Sequence, residues 1–443
     1  MLNKNKKKRV ITKPLSGFME LMPAEQIVFN KMFDTIRQTY EVFGFIPLDT
    51  PILERAESLL AKAGGETEKQ IYQFKKGDTN LAMRFDLTVP LARYVAEYYG
   101  DLVFPFRRYT MGKVFRGERP QAGRFREFYQ CDIDVVDNGQ LDLQFDAEIS
   151  SIIYTIFQKL GFKNFTIRIN NRKIFDGLFA ELGITKKSSN IMQAIDKLEK
   201  VGNEAVKNEL KKLLLSPEVV ERIFNFIGLK GSSDNVIAGL QSLGIDNIQF
   251  KNGVKELVKV VSLIKQFGVP ESNFTVDLTI ARGLDYYTGT VYETFLDDYP
   301  EIGSVCSGGR YDNLISHYTS RKISGVGISI GLTRLFNQLY KKGILQTSEP
   351  TLTKVLVLPM TEDVKYSLEI ATKLRKNGIS TEISFVQGKM KKRLRYADRL
   401  GIPYVVFIGE DEIRKGVYTL RDLVTGNQKE LGERELLTKF SKK

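Results

Sequence analysis

Four arginines within eleven residues constrain this chain more than any other feature: Arg116, Arg119, Arg124 and Arg126 sit between two apolar, aromatic-rich runs. Those runs, residues 109–116 and 126–136, read as two strands joined by a basic loop. Neighbouring strands joined in this way predict an antiparallel sheet. A cluster of guanidinium groups on such a loop suits a polyphosphate, because each presents a planar fork of donors. A second segment, Arg282-Gly283-Leu284-Asp285-Tyr286-Tyr287, sets one arginine before a glycine and two aromatic hydroxyls in a tight bend. Together they predict a site for a nucleotide and a small polar substrate. Taken singly, the same residues leave plainer readings open: solvated loop arginines, core tyrosines, and Asp86 or Asp134 as a surface or helix-capping carboxylate.

The rest of the chain surrounds these segments with a mixed architecture. Residues 23–40 space their apolar side chains two to four apart behind Pro23, as an amphipathic helix does. Residues 45–53 read as extended, and Pro47 and Pro51 mark a sheet edge. Residues 81–86 predict a short strand and 89–99 a helix. From about 173 to 272 the texture turns Lys-, Leu-, Ile-, Glu- and Asn-rich with helical spacing. This stretch carries no chemical motif and predicts a helical insertion that splits the sheet domain. Strand character resumes at 274–280 and 290–295. Residues 325–335 alternate small and apolar residues and then become helical, which puts Arg334 at a strand–helix junction. Their glycines lack the spacing of a dinucleotide-binding fingerprint. After a linker at 347–353, strands and helices alternate to the end, the pattern of a small α/β domain. The division expected is therefore 1–172, 173–272, 273–346 and 354–443.

Composition narrows the function classes. A chain of 443 residues should hold two to four domains. Its 66 Lys and Arg against 53 Asp and Glu give a formal charge of +13, which favours anionic partners, nucleic acid first. Two cysteines, Cys131 and Cys306, and one histidine, His317, supply neither a disulfide framework nor a zinc site. His317 reads as part of a helix with no acid–base partner nearby. No apolar run approaches the roughly 20 residues of a membrane span. The basic start, residues 1–9, has no apolar stretch behind it and does not read as a secretory signal. A cytoplasmic protein is expected.

The motifs in this order resemble those of class II aminoacyl-tRNA synthetases, and specifically the histidyl-tRNA synthetase family. Pro51 with Gly44-Phe45 and Ile52-Leu53 is similar to the class's dimer-interface motif. Phe115-Arg116-Gly117-Glu118, its loop and Phe128 are similar to the second motif, and residues 327–334 to the third. Arg282-Gly283-Leu284-Asp285-Tyr286-Tyr287 and Ser307-Gly308-Gly309-Arg310-Tyr311-Asp312 resemble the two peptides peculiar to the histidine-specific family. The resemblance spans about residues 10–440.

It implies an α+β catalytic domain built on an antiparallel sheet, a helical insertion, and a C-terminal α/β domain that reads the anticodon. It implies ATP and Mg²⁺, with no zinc, and tRNA(His), histidine and a second copy of the chain as partners. Arg116 would bind the α-phosphate, Glu118 would face the adenine amino group, and Phe128 and Arg334 would sandwich the ring. Arg124, with Arg119, would meet the outer phosphates, and Arg282 would be the catalytic arginine. Asp86, Thr88 and Gln130 would hold the substrate ammonium. Asp134 and Tyr287 would read the imidazole, with Tyr286, Tyr311 and the glycines closing the pocket. Departures from the family pattern are Asp86 and Asp134 where many members carry Glu, and Thr333 where Glu usually precedes the motif arginine. The implied reaction is ATP-dependent attachment of histidine to its tRNA through a histidyl-adenylate. The alternative is a synthetase-like regulatory subunit of ATP phosphoribosyltransferase. Such proteins commonly lack the anticodon domain and parts of the ATP motifs, and this chain keeps both.

Overall fold

The computed structural model describes residues 10–61, 66–119, 123–280, 286–347, 350–385 and 388–440. The chain divides into a larger unit ending at Ile344 and a smaller one made of Leu21–Lys31 and Leu345 onward.

In the larger unit the strands are β1 (Ile46–Pro47), β2 (Leu53–Arg55), β3 (Gln73–Lys76), β4 (Thr79–Met83), β5 (Phe106–Phe115), β6 (Glu127–Asn138), β7 (Phe165–Asn171), β8 (Phe274–Val276), β9 (Thr290–Leu296), β10 (Cys306–Tyr311) and β11 (Ile323–Ile330). Eight of them form one sheet in the order β1-β5-β6-β11-β10-β9-β7-β8, while β2, β4 and β3 form a small second sheet. The arginine-rich segment joins β5 to β6, which pair antiparallel from Phe106↔Val136 to Phe115↔Glu127. Among the described residues, parallel pairing in the large sheet occurs only at its two edges, β1 with β5 and β7 with β8. Successive side chains on a strand point to opposite faces. On β6 this splits the polar residues Gln130, Asp132 and Asp134 from the apolar Cys131, Ile133 and Val135, all of them buried.

The Gln144–Lys159 helix covers the sheet with Ile149, Ile152, Ile153, Ile156 and Phe157. The Thr88–Glu97 helix packs Leu91, Ala92 and Val95 into a cluster with Phe106, Val136, Tyr286 and Tyr311. A buried ion pair locks β10 to the start of the Gln144–Lys159 helix. Arg310 Nε donates to Asp146 Oδ1 at 3.1 Å and Nη1 to the carbonyl of Leu141 at 3.0 Å.

The stretch expected to be a helical insertion is helical, and two of its helices, Ser233–Ser242 and Ile248–Gln266, lie against strands of the large sheet. Arg172–Glu181 and Ile248–Gln266 cross closely, and the latter lies against β7 and the Gln144–Lys159 helix. A Cβ at Gly177 or Gly253 would collide with the other helix's Phe250 or Ile174 backbone. Two further expectations shorten: the strand after residue 274 ends at Val276, and His317 closes a single 3₁₀ turn, Ile315–His317.

The smaller unit carries β12 (Val355–Pro359), β13 (Thr381–Ile383), β14 (Tyr404–Ile408), β15 (Tyr418–Asp422) and β16 (Gln428–Leu431) in a sheet ordered β13-β12-β14-β15-β16. The β12–β13 and β12–β14 pairs are parallel, so β12 is buried on both faces. Val355 and Val357 face the Lys365–Lys376 and Glu433–Phe440 helices, and Leu356 and Leu358 face the Met390–Arg399 helix.

Candidate active site

The site is built on the polar face of β6. Register sets Arg108, Thr110 and Gly112 of β5 opposite Asp134, Asp132 and Gln130. On the other side β11 brings Gly327 and Ser329 opposite Asp134 and Asp132, and β10 adds Gly309 and Tyr311 beyond Gly327 and Gly325. The glycines are required by close approach. A Cβ at Gly325 would fall closer than 3.0 Å to the Tyr311 ring, and one at Gly327 equally close to the Asp134 carboxylate and the carbonyl of Ile133. Tyr311 thus crosses Gly325 to donate its hydroxyl to Asp134 Oδ1 at 2.7 Å.

The other oxygen of Asp134 lies 2.6 Å from Arg108 Nη2, with both side chains essentially inaccessible. That nitrogen also donates to the carbonyl of Leu87 at 3.0 Å. Burial raises the Asp134 carboxyl to about 6 against the pull of Arg108 and the Tyr311 hydroxyl. Burial raises Asp132 further, to about 7, opposed by Arg108 and by a hydrogen bond from Ser329 and reinforced by the charges of Asp134 and Asp86.

Asp86 starts the Thr88–Glu97 helix. Its Oδ1 accepts the backbone N–H groups of Thr88 at 3.2 Å and Val89 at 2.9 Å, so it is a helix-capping carboxylate and a wall of the pocket at once. Burial raises it, and those two N–H groups together with Arg116 and Arg108 oppose the rise. Thr88 shares a hydrogen bond with the Tyr286 hydroxyl. The Tyr286 ring meets Tyr287 edge-on at 5.0 Å and Tyr311 at 5.9 Å. Tyr287 faces the charges of Asp134 and Asp132, and its ring lies against Gly309.

The cationic end adjoins this pocket. Arg116 sits 4.3 Å from the Phe85 ring centroid and 5.1 Å from that of Phe128, within cation–π reach. Its Nε donates to the carbonyl of Phe85 at 3.2 Å, and the attractive charges that act on it most are Asp86 and Glu118. Glu118 accepts from Arg124 Nη1 at 3.1 Å, so two residues expected on different parts of a nucleotide hold each other here. Arg334 stands in the first turn of the Leu332–Lys341 helix and feels both Arg124 and Glu118. Its Nε has no hydrogen-bond partner. Thr333 accepts the backbone N–H of Tyr129 at 2.8 Å, tying this helix to the strand just after Phe128. Arg119 is exposed. Arg282 lies outside the described residues.

The structure therefore gathers Asp86, Thr88 and Tyr286; Gln130, Asp134, Tyr287 and Tyr311; and Arg116, Glu118, Arg124, Phe128 and Arg334 along one sheet face. Sequence reasoning missed Arg108, Asp132 and the tie made by Thr333. It also missed Arg84, whose buried guanidinium donates to Asp49, to the carbonyl of Thr50 and to that of Lys113. The period of two on β6 was the signal that could have found Asp132.

Comparison with known proteins supplies the rest. The family model described as histidyl-tRNA synthetase matches residues 17–335, and that described as anticodon binding domain matches residues 354–443. A curated histidine–tRNA ligase of Clostridium tetani is 57% identical over 97% of this chain and 98% of its own length. The crystal structure of histidyl-tRNA synthetase from Nostoc sp. PCC 7120 superposes with a TM-score of 0.88 at 41% identity, covering 97% of this chain and 99% of that one. A Bacillus halodurans protein described as an ATP phosphoribosyltransferase regulatory subunit/histidyl-tRNA synthetase matches with a TM-score of 0.75 at 20% identity, covering 90% of this chain and 99% of that one, a likeness of fold alone.

Proposed function

The chain belongs to the histidyl-tRNA synthetase family and attaches histidine to tRNA, and we propose that it does so in two steps on the polar face of β6. In the first, the histidine carboxylate attacks the α-phosphorus of ATP, the bond to the β-phosphate oxygen breaks, and pyrophosphate leaves. In the second, the 3′-terminal ribose hydroxyl of the tRNA attacks the adenylate carbonyl and AMP leaves. A phosphate oxygen of the adenylate takes the proton. The protein supplies alignment of two anions and positive charge where the transition state needs it.

The observation that carries this reading is the junction of two unlike ends. A pocket of buried carboxylates and tyrosine hydroxyls, Asp86, Asp134, Tyr286 and Tyr287, abuts the guanidinium of Arg116. The first end suits a cationic amino acid with ring N–H groups, the second a phosphate. In our reading Asp86, Thr88 and Gln130 hold the ammonium, while Asp134, Tyr287 and Tyr311 shape the imidazole end. Phe128 and Arg334 enclose the adenine with Glu118 at its edge, and Arg116 and Arg282 meet the α-phosphate. Arg124 turns from Glu118 to the outer phosphates when ATP arrives. ATP brings its own Mg²⁺ on those phosphates.

The domain bounds expected from the sequence complete the proposal: residues 354–443 read the anticodon, and the helices after β7 lie toward the acceptor arm. Two copies meet along residues 44–53, from β1 at the edge of the large sheet to the start of β2, where Ile46, Ile52 and Leu53 are exposed apolar side chains of a kind seldom left uncovered. Among the described residues no helix is long and apolar enough to cross a membrane, and we place the protein in the cytoplasm. The test is aminoacylation of tRNA(His) by the purified chain with radiolabelled histidine. Charging that needs ATP and histidine supports the proposal; tRNA binding without charging overturns it.

A further inference from the structure

Asp132 has no part in the scheme above, yet it stands at the centre of the pocket floor. It is 2% exposed. It lies between Gln130 and Asp134 on the same face of β6, with Thr110 and Ser329 as its cross-strand neighbours. Its Oδ1 has no hydrogen-bond partner, and neither do Gln130 Oε1 and Asp134 Oδ2 beside it or Nε and Nη1 of Arg108. Buried polar atoms are nearly always paired. Five orphans on one patch of a substrate pocket mark a place completed by a polar ligand.

Asp134 is differently placed. Tyr311 donates to its Oδ1, while its Oδ2 accepts no hydrogen bond and lies 2.6 Å from Arg108 Nη2 as an ion-pair partner. The Ser329 hydroxyl near Asp132 is shared, because it also accepts from Gln130 Nε2 at 2.6 Å. Of the two carboxylates that face Tyr287, Asp132 is thus the one whose unpaired oxygen has no ion-pair partner against it among the described residues.

Resting on the histidine-pocket reading, we propose that Asp132 is a specificity-determining residue whose Oδ1 accepts a hydrogen bond from a ring N–H of the bound histidine. Asp134 then acts behind it, holding Arg108 and Tyr311 in place. A ring or side chain without an N–H at that point would leave a buried carboxylate oxygen unpaired, which is the arrangement that rejects near-isosteres most strongly.

The test is Asp132→Ala, which removes the acceptor outright, in histidine-dependent ATP–pyrophosphate exchange. A charge-assisted hydrogen bond lost from a buried site should raise the histidine KM about ten- to a hundred-fold. The ATP KM should hold within about two-fold, and discrimination against ring-methylated histidines should shrink. A variant that melts like the wild type and keeps its histidine KM overturns the inference, as does a parallel rise in the ATP KM. Wild-type protein without any histidine-dependent exchange would instead remove the underlying reading. Should the variant not fold, the wild-type complex with histidine decides: a ring nitrogen within about 3.2 Å of Asp132 Oδ1 supports the proposal, and a water in that place sinks it.

Discussion

Asp134→Ala is the substitution whose consequences the structure changes most. From sequence it should harm histidine selection more than ATP binding. In the structure Asp134 is also the charge partner of Arg108, a guanidinium with no accessible surface, and the acceptor for the buried Tyr311 hydroxyl. Removing one member of a buried ion pair costs about 3–5 kcal/mol, because the remaining charge has lost its compensation. Asp132 stays within the field of Arg108 and moderates that loss, which favours the lower end. At roughly 2–4 °C per kcal/mol for units of 150–250 residues, and less for a larger one, the catalytic unit should melt about 5–10 °C lower. Asp134→Asn keeps an acceptor for Tyr311 and loses only the charge, so it should fall between. Thermal unfolding followed by circular dichroism, with histidine and ATP KM values from exchange, reads both effects. An alanine variant that melts with the wild type and retains its histidine KM would refute the pairing argument.

Thr333→Ala removes the acceptor for the Tyr129 N–H and should raise the ATP KM several-fold, at about 1 kcal/mol for one hydrogen bond, while Thr333→Ser keeps it near normal; equal ATP KM values in both would make the tie irrelevant to the nucleotide. Asp132 is raised from 3.8 to about 7, so folded protein without ligand holds a proton that the unfolded chain releases near pH 4. Its stabilising contribution is complete below that pH and is lost as pH rises through about 7. Asp132→Asn should therefore flatten the fall in melting temperature between pH 5 and 8, and an unchanged slope would contradict the burial of that charge. Deleting residues 354–443 removes two hydrophobic clusters made only of their own side chains. It should spare exchange and abolish efficient tRNA charging, and normal charging would exclude anticodon reading by this domain.

What the sequence made legible follows from local rules. Apolar, aromatic-rich runs on either side of the arginines marked β5 and β6, and the resemblance of the motifs to a known family put Gln130 and Asp134 in the pocket. What stayed hidden depends on register and on packing across distant segments. Arg108 meets Asp134 because β5 and β6 pair with that offset, which no local pattern specifies. Thr333 reads in sequence as the absence of a carboxylate, and only its position near Tyr129, 204 residues away, shows what it holds. Gly177 and Gly253 are unremarked small residues until two helices cross there, one of which, Ile248–Gln266, also lies against β7.

The central claim is that the buried carboxylate and tyrosine pocket beside Arg116 selects histidine for activation. ATP–pyrophosphate exchange by the purified chain, run with each of the twenty amino acids in turn, tests it most directly. The account predicts exchange that depends on histidine and falls to background with the other nineteen. Exchange driven equally well by another amino acid, or none with histidine, would contradict it.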